Sequence, residues 1–305
     1  MRHLVALSDL SSNEIEAILA IAADLKSKFQ QGVREPLLPG RMMALVFEKQ
    51  SLRTRVSFET CMTHLGGGSL MLGDDAGFGK RESIADFTRV LSAMVDVIVV
   101  RSKAHSTVEQ VAEHATCPVV NGLTDLDHPC QALADLLTVR EEFGGLEGKR
   151  ITWVGDGNNV ARSLAVGCAK TGAEFAIAAP EGYQFPKEFV GQLKADCPEA
   201  LISETDDPHA AVNGAAAIYT DVWASMGQEA EEEQRKRDFA DYQVNGRLMA
   251  AAPSDAIFLH CLPAKRGQEV TDEVIDSPQS RVVEQAANRM HAQKGVLAWL
   301  LGAKS

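Results

Sequence analysis

Met42-Met43-Ala44-Leu45-Val46-Phe47, followed closely by Ser51-Leu52-Arg53-Thr54-Arg55 and the periodic run Val56, Phe58, Met62, Leu65, reads as strand, polar loop and helix. The motif recurs. Asp96-Val97-Ile98-Val99-Val100-Arg101 is a second Val-heavy run, Cys117-Pro118-Val119-Val120 precedes His128-Pro129-Cys130-Gln131, and Ile257-Phe258-Leu259 leads into His260-Cys261-Leu262-Pro263. Strands alternating with helices imply right-handed βαβ units and mainly parallel sheets. Such sheets collect their sites at the carboxyl ends of the strands. Hydroxyls and arginines opening a helix suit a phosphate, because free backbone N–H groups and the helix dipole favour the anion and the guanidinium forks grip its oxygens in pairs.

Working outward, strands are predicted at 42–47, 97–100, 118–120, 151–154, 174–178, 215–219 and 256–259. Helices are predicted at 11–29, 83–94, 107–115, 128–142, 159–171, 186–195, 245–252 and about 284–301. The Gly-rich break Phe143-Gly144-Gly145-Leu146-Glu147-Gly148 divides the pattern. The expected architecture is therefore α/β with two domains, residues 1–143 and 149–282, each a mainly parallel sheet flanked by helices, with a site in the cleft between them. The final segment, 283–305, carries the stripe Val283, Ala286, Ala287, Met290, Val296, Leu297 and Leu300, and is expected to pack back on the first domain. Glu229–Arg237 pairs Glu231/Arg235, Glu232/Lys236 and Glu233/Arg237 at i,i+4, acids first, as a solvated helix would.

Composition narrows the function classes. A chain of 305 residues with a net charge of -12 and no long basic tract is not a nucleic-acid binder. Six cysteines, none in a Cys-x-x-Cys pair, indicate a reducing compartment and mostly buried thiols; they give no sign of a disulfide framework or zinc site. No signal peptide and no run approaching about 18 apolar residues is visible. A cytoplasmic protein without a membrane span is expected.

Several residues carry two readings. Ser51, Arg53, Thr54 and Arg55 are either an ordinary capped helix with solvent-facing arginines or an anion site. Arg101 ends its strand either as an edge ion pair or as a side chain aimed above the sheet. His128 and Gln131, at i and i+3 with Pro129 in the first turn, share a face and could hydrogen-bond one small group. Gly155-Asp156-Gly157-Asn158-Asn159 suggests a dinucleotide loop, but the third glycine of that fingerprint is Val160, and no acid follows the next strand in the ribose position. Asn159 could instead contact an amino-acid substrate. Asp221 is either a helix cap or an ammonium ligand, with Ser225-Met226-Gly227 as a turn able to close on a ligand. Cys261 is a buried thiol or, beside His260, a polarisable proton acceptor.

Taken together, Ser51–Arg55, His128–Gln131, Asp221–Gly227 and His260–Pro263 resemble the phosphate loop, the His-Pro-x-Gln, the Asp-x-x-x-Ser-Met-Gly and the His-Cys-Leu-Pro motifs of the aspartate/ornithine carbamoyltransferase family, in its ornithine-using branch. They occur in the family's order over essentially the whole chain. The resemblance implies transfer of the carbamoyl group of carbamoyl phosphate to the δ-amine of L-ornithine, giving L-citrulline and phosphate, in arginine metabolism. Carried over, Ser51, Arg53, Thr54, Arg101 and Arg289 would hold the phosphate, with Leu52 offering its backbone N–H. His128 and Gln131 would hold the carbamoyl oxygen and amide. Asn159, Asp221, Ser225 and Met226 would hold the α-amino-acid end of ornithine. Cys261 would accept the proton and Leu262 would offer its carbonyl. No metal or organic cofactor is needed by this chemistry.

Two positions depart from the family pattern: Leu52 stands where the family usually has Thr, and Gly77 where many relatives carry Gln. In the family the loop around Gly77 reaches a neighbouring subunit within a trimer; Lys80 offers an electrostatic substitute, and a homotrimer is expected. The competing readings are a carbamoyltransferase for putrescine or an N-acylated ornithine, an NAD-linked dehydrogenase prompted by Gly155–Asn159, and a non-catalytic carbamoyl-phosphate-binding protein.

Overall fold

The computed structural model describes residues 1–73, 76–224 and 229–302. Two compact units divide the chain: residues 1–137 with 287–305, and residues 138–286. The sequence break at Phe143–Gly148 lies just beyond the first of these divisions.

In the first unit, α1 (Ser12–Gln30) begins with a capping box. Ser11 accepts from the Glu14 N–H, and the Glu14 carboxylate accepts from the Ser11 N–H at 2.9 Å. The helix buries Ile15, Ile18, Leu19, Ala22 and Leu25, the stripe its 3.6-residue period lays on one side. Then follow β1 (Met42–Phe47), α2 (Leu52–His64), β2 (Gly68–Leu72), α3 (Ile84–Ser92), β3 (Val97–Arg101), α4 (His105–His114), β4 (Val119–Leu123) and the start of α5 (Pro129–Phe143). The strands are parallel in the order β2-β1-β3-β4. Both central strands, β1 and β3, are almost wholly buried, which is why they read as unbroken apolar runs. The chain leaves β1 and β3 in opposite directions, so their carboxyl ends form a switch point, and the register pairs Phe47 with Arg101 there. A bulge shifts the β3–β4 register after Val100, with Gly122 as the extra residue; a Cβ at Gly122 would sit 3.2 Å from the Val100 carbonyl oxygen.

The second unit contains β5 (Arg150–Val154), α6 (Asn159–Thr171), β6 (Glu174–Ala178), α7 (Lys187–Asp196), β7 (Ile202–Thr205), α8 (Pro208–Ala211), β8 (Ala217–Thr220), α9 (Glu232–Asp238), α10 (Gly246–Met249), β9 (Ile257–His260) and α11 (Asp272–Ile275). Its parallel order β7-β6-β5-β8-β9 places the switch between β5 and β8. Thr220 is level with His260 at the carboxyl ends.

The last helix, α12 (Val282–Leu300), starts in the second unit and ends in the first. Against α1 it packs so closely that a Cβ on Gly295 would overlap the Ile18 carbonyl oxygen and lie 3.1 Å from the Ala22 Cβ.

Sequence periodicity missed β2 and β7. Both are edge strands of their sheets, with half-exposed residues in place of a two-sided apolar run. The helix expected at 245–252 is the single turn α10, capped by Asn245. The solvated helix expected over 229–237 is also corrected: a 3-10 turn at Glu229–Glu231 precedes α9, and Arg235 is buried. The Glu231/Arg235 and Glu232/Lys236 pairs form, but Arg237 bonds Gln234, and Glu233 pairs with Lys236.

Candidate active site

At the switch point of the first sheet, Ser51 caps α2 by accepting from the Thr54 N–H at 3.4 Å. One turn in, Thr54 is fully buried, and its hydroxyl becomes a hub. Arg101 donates to it through Nη1 at 3.3 Å and Arg289 through Nη2 at 2.9 Å, while Ser51 Oγ lies 3.1 Å away. The other arm of the Arg289 fork donates to Gln131 Oε1 at 2.7 Å and lies 3.4 Å from His128 Nε2. Gln131 donates onward to Asp135 at 2.8 Å. Arg289 thus ties the start of α2 to the start of α5. The edge ion pair considered for Arg101 is not what forms: among the described residues its Nη1 donates to the Thr54 hydroxyl, and its Nε has no hydrogen-bond partner.

Burial, then Arg289, then Arg53 bring the Arg101 guanidinium down to about 10. His128 is held well below its ordinary value by burial and by Arg289 and Arg101, so its imidazole is neutral at pH 7. Positive charge has been concentrated at a helix N-terminus, an arrangement that repels itself and attracts an anion. Leu52 opens α2 with its side chain 77 % exposed, so its backbone N–H is the polar group it can offer there.

At the switch point of the second sheet, Asp221 follows β8. Its Oδ1 accepts from the Val222 N–H at 2.8 Å and its Oδ2 from Asn158 Nδ2 at 3.1 Å, so it is not a helix cap. Asn158 is the cap: its Oδ1 accepts from the Val160 and Ala161 N–H groups opening α6. Asn159, the residue singled out from sequence, is partly buried and also accepts from Val160 N–H at 3.0 Å. Gly157 serves packing: a Cβ there would lie 3.0 Å from the Phe185 ring and 3.1 Å from the Tyr183 carbonyl.

Beside β9, Asp221, His260 and Cys261 bring one ligand atom each within 4.8 Å of one another. Such a trio could hold a cation, but both ring nitrogens of His260 are engaged. Nδ1 accepts from the Leu262 N–H at 2.9 Å, which leaves the proton on Nε2, 3.1 Å from the buried Glu269 carboxylate. A metal would have to displace one of those bonds. The same imidazole holds Leu262 in the left-handed region at φ 57°. Cys261 is only partly buried, whereas burial pushes Cys130 up to about 12 and Cys117 to about 11; among the described residues no cysteine is in a disulfide. Ser225 and Met226, with Gly227, lie outside the described residues.

Sequence reasoning missed Asn158, Asp156, Arg235 and Glu269. Arg235 carried a misleading signal, its i,i+4 acid; Glu269 carried none.

The structure thus defines a parallel α/β protein in two units, with polar side chains gathered at each switch point. Residues 2–141 match the carbamoyl-P binding domain of aspartate/ornithine carbamoyltransferase, and residues 147–300 match its Asp/Orn binding domain. The chain belongs to the aspartate/ornithine carbamoyltransferase family. An ornithine carbamoyltransferase of Carboxydothermus hydrogenoformans is 49% identical over 99% of this chain and 98% of its own length. One from Bacillus subtilis is 49% identical over 98% of this chain and 94% of its own. The solved ornithine carbamoyltransferase of Pyrococcus furiosus superposes with a TM-score of 0.96 at 48% identity, covering 100% of this chain and 98% of its own. That of Thermus thermophilus gives 0.88 at 43%, covering 98% of each. Among the described residues no helix is long and apolar enough to cross a membrane.

Proposed function

We propose that this protein transfers the carbamoyl group of carbamoyl phosphate to the δ-amine of L-ornithine, releasing L-citrulline and phosphate, in arginine biosynthesis. The observation that carries this reading is the Arg289 fork, which joins Thr54, Gln131 and His128 beside Arg101. In the reading, residues 1–143 carry the carbamoyl phosphate site. Ser51, Arg53, Thr54, Arg101, Arg289 and the Leu52 N–H take the phosphate oxygens, and His128 and Gln131 take the carbamoyl oxygen and amide. Residues 149–282 carry the amino-acid site, with Asn159, Asp221, Ser225 and Met226 on the α-end of ornithine. The segment 283–305 supplies Arg289. A relative from Pyrococcus furiosus is named as anabolic, which supports the biosynthetic direction.

Carbamoyl phosphate is an activated donor, so the protein's main task is alignment, which can lower a barrier by about 7–11 kcal/mol. Negative charge develops on the carbonyl oxygen and on the leaving phosphate, and Arg101, Arg289 and a hydrogen bond from His128 are placed to stabilise it. The attacking amine must be neutral, whereas an alkyl ammonium titrates at about 10.4 in water. Cys261, partly exposed and beside Asp221 and His260, accepts that proton as its thiolate and becomes the thiol, and the Leu262 carbonyl orients the amine.

The working assembly is a homotrimer in the cytoplasm. Leu52 and Val56 on α2 and Leu70 on the edge strand β2, against which α2 packs, are 77 %, 50 % and 46 % exposed, an apolar set suited to cover by another copy.

A panel of amines assayed with carbamoyl phosphate tests the substrate. Ornithine is expected to be carbamoylated at least about a hundredfold more efficiently than putrescine or N-acetylornithine, a loss of the size seen when buried polar groups go unpaired. Preference for putrescine or the acylated amine would replace ornithine in the account.

A further inference from the structure

Arg235 is the one arginine of its charged run to be buried, its side chain 8 % exposed, although it sits among exposed acids and bases. It makes three bonds with two donors. Nε donates to Glu231 at 2.9 Å; Nη1 donates to Asp156 Oδ2 at 2.7 Å and to the Trp223 carbonyl at 3.0 Å. The guanidinium also lies 5.0 Å from the Tyr183 ring centre, and Tyr183 donates its hydroxyl to Asp238 at 2.7 Å. Asp156 and Trp223 belong to the loops after β5 and β8, the two strands that flank the switch point. Those loops touch again where Asn158 donates to Asp221.

We propose that Arg235 is a positioning residue for Asp221: by clamping Asp156 and the Trp223 carbonyl it fixes both loops and cancels the charge of a second carboxylate beside the ammonium site. This rests on the proposed ornithine function. The electrostatics agree with the geometry. Burial pushes the Asp156 carboxyl up, Arg235 pulls it down, and the charges of Asp221 and Glu231 push it up again, so Asp156 and Asp221 feel each other. With Arg235 paired to Asp156 and to the exposed Glu231, Asp221 is the carboxylate at this switch point left without a guanidinium of its own, matched to one ammonium. Without it, Asp156 stays charged and repels the carboxylate of ornithine, or is protonated; either way its loop loses its anchor.

The test compares Arg235→Gln, Arg235→Lys, Asp156→Asn and the Arg235→Gln/Asp156→Asn double variant with wild type, measuring citrulline formation with each substrate varied. Binding of inorganic phosphate serves as a folding check on the first unit. Arg235→Gln is expected to raise KM for ornithine on the order of tenfold, with KM for carbamoyl phosphate within about twofold of wild type; Arg235→Lys raises it less. The double variant is expected to be less impaired for ornithine than Arg235→Gln, because no uncompensated carboxylate remains, but not restored to wild type, because the anchor on the Trp223 carbonyl is still lost. Equal rises in both KM values, a fall in kcat alone, or a double variant worse than Arg235→Gln would overturn the proposal. If Arg235→Gln does not fold, Arg235→Lys and the double variant decide it by the same KM split. Wild type that makes no citrulline from ornithine would instead overturn the function on which the proposal stands.

Discussion

Thr54 shows how much one hydroxyl can organise. It is buried, caps nothing itself, and accepts from two guanidinium groups that would otherwise repel one another. The cost of that crowding appears in Arg101, brought down to about 10 by burial and by its cationic neighbours. A guanidinium with a lowered value stays charged at neutral pH and loses its proton as pH rises through that value. Affinity for inorganic phosphate, the proposed product, is therefore expected to be steady from about pH 8 to 9 and to weaken above about pH 10, by up to about tenfold per unit. Calorimetric titration of phosphate across this range checks it, and affinity unchanged at pH 11 would contradict a guanidinium of lowered value facing the anion. At this scale the sequence was informative where a motif is contiguous: Ser51, Arg53 and Thr54 share a helix start, and His128 and Gln131 share a face. It misled on Arg235, whose partner Asp156 lies far along the chain, and was silent on Glu269; Arg289 was reachable through the packing expected of the terminal helix and through the family resemblance.

Among elements, periodicity found the buried strands, including the edge strands β4 and β9, and lost β2 and β7, the two edges whose residues are half-exposed and so need not be apolar throughout. It could not foresee the close contact of α12 on α1. Gly295 makes that contact possible, and a methyl group there meets backbone of α1 at Ile18, which cannot rotate away as a side chain would. Gly295→Ala should gain up to about 1 kcal/mol of helix propensity and lose about 1–3 kcal/mol to overpacking. A lower denaturation midpoint is expected; a variant more stable than wild type would show that α1 shifts freely. The consequence reaches chemistry, since α12 also carries Arg289 and the Asn288 that accepts from Lys26 at 2.7 Å.

For the whole molecule, a net charge of -12 coexists with a local excess of positive charge at one switch point and a carboxylate-and-thiol group at the other. That division of charge matches the two proposed substrates, a phosphate dianion and an ammonium. The α/β class and the family were legible from motif order alone. The hydrogen-bond partners that set each group's charge were not, because burial and cross-chain contacts decide them.

The most direct test of that division is the steady-state kinetics of Arg289→Ala and Asp221→Ala with both substrates varied. Arg289→Ala is expected to raise KM for carbamoyl phosphate by about a hundredfold or more while leaving KM for ornithine within about threefold, and Asp221→Ala to do the reverse, as loss of a charge-assisted partner at one site predicts. Citrulline formation by either variant with wild-type constants for its own substrate would contradict the account.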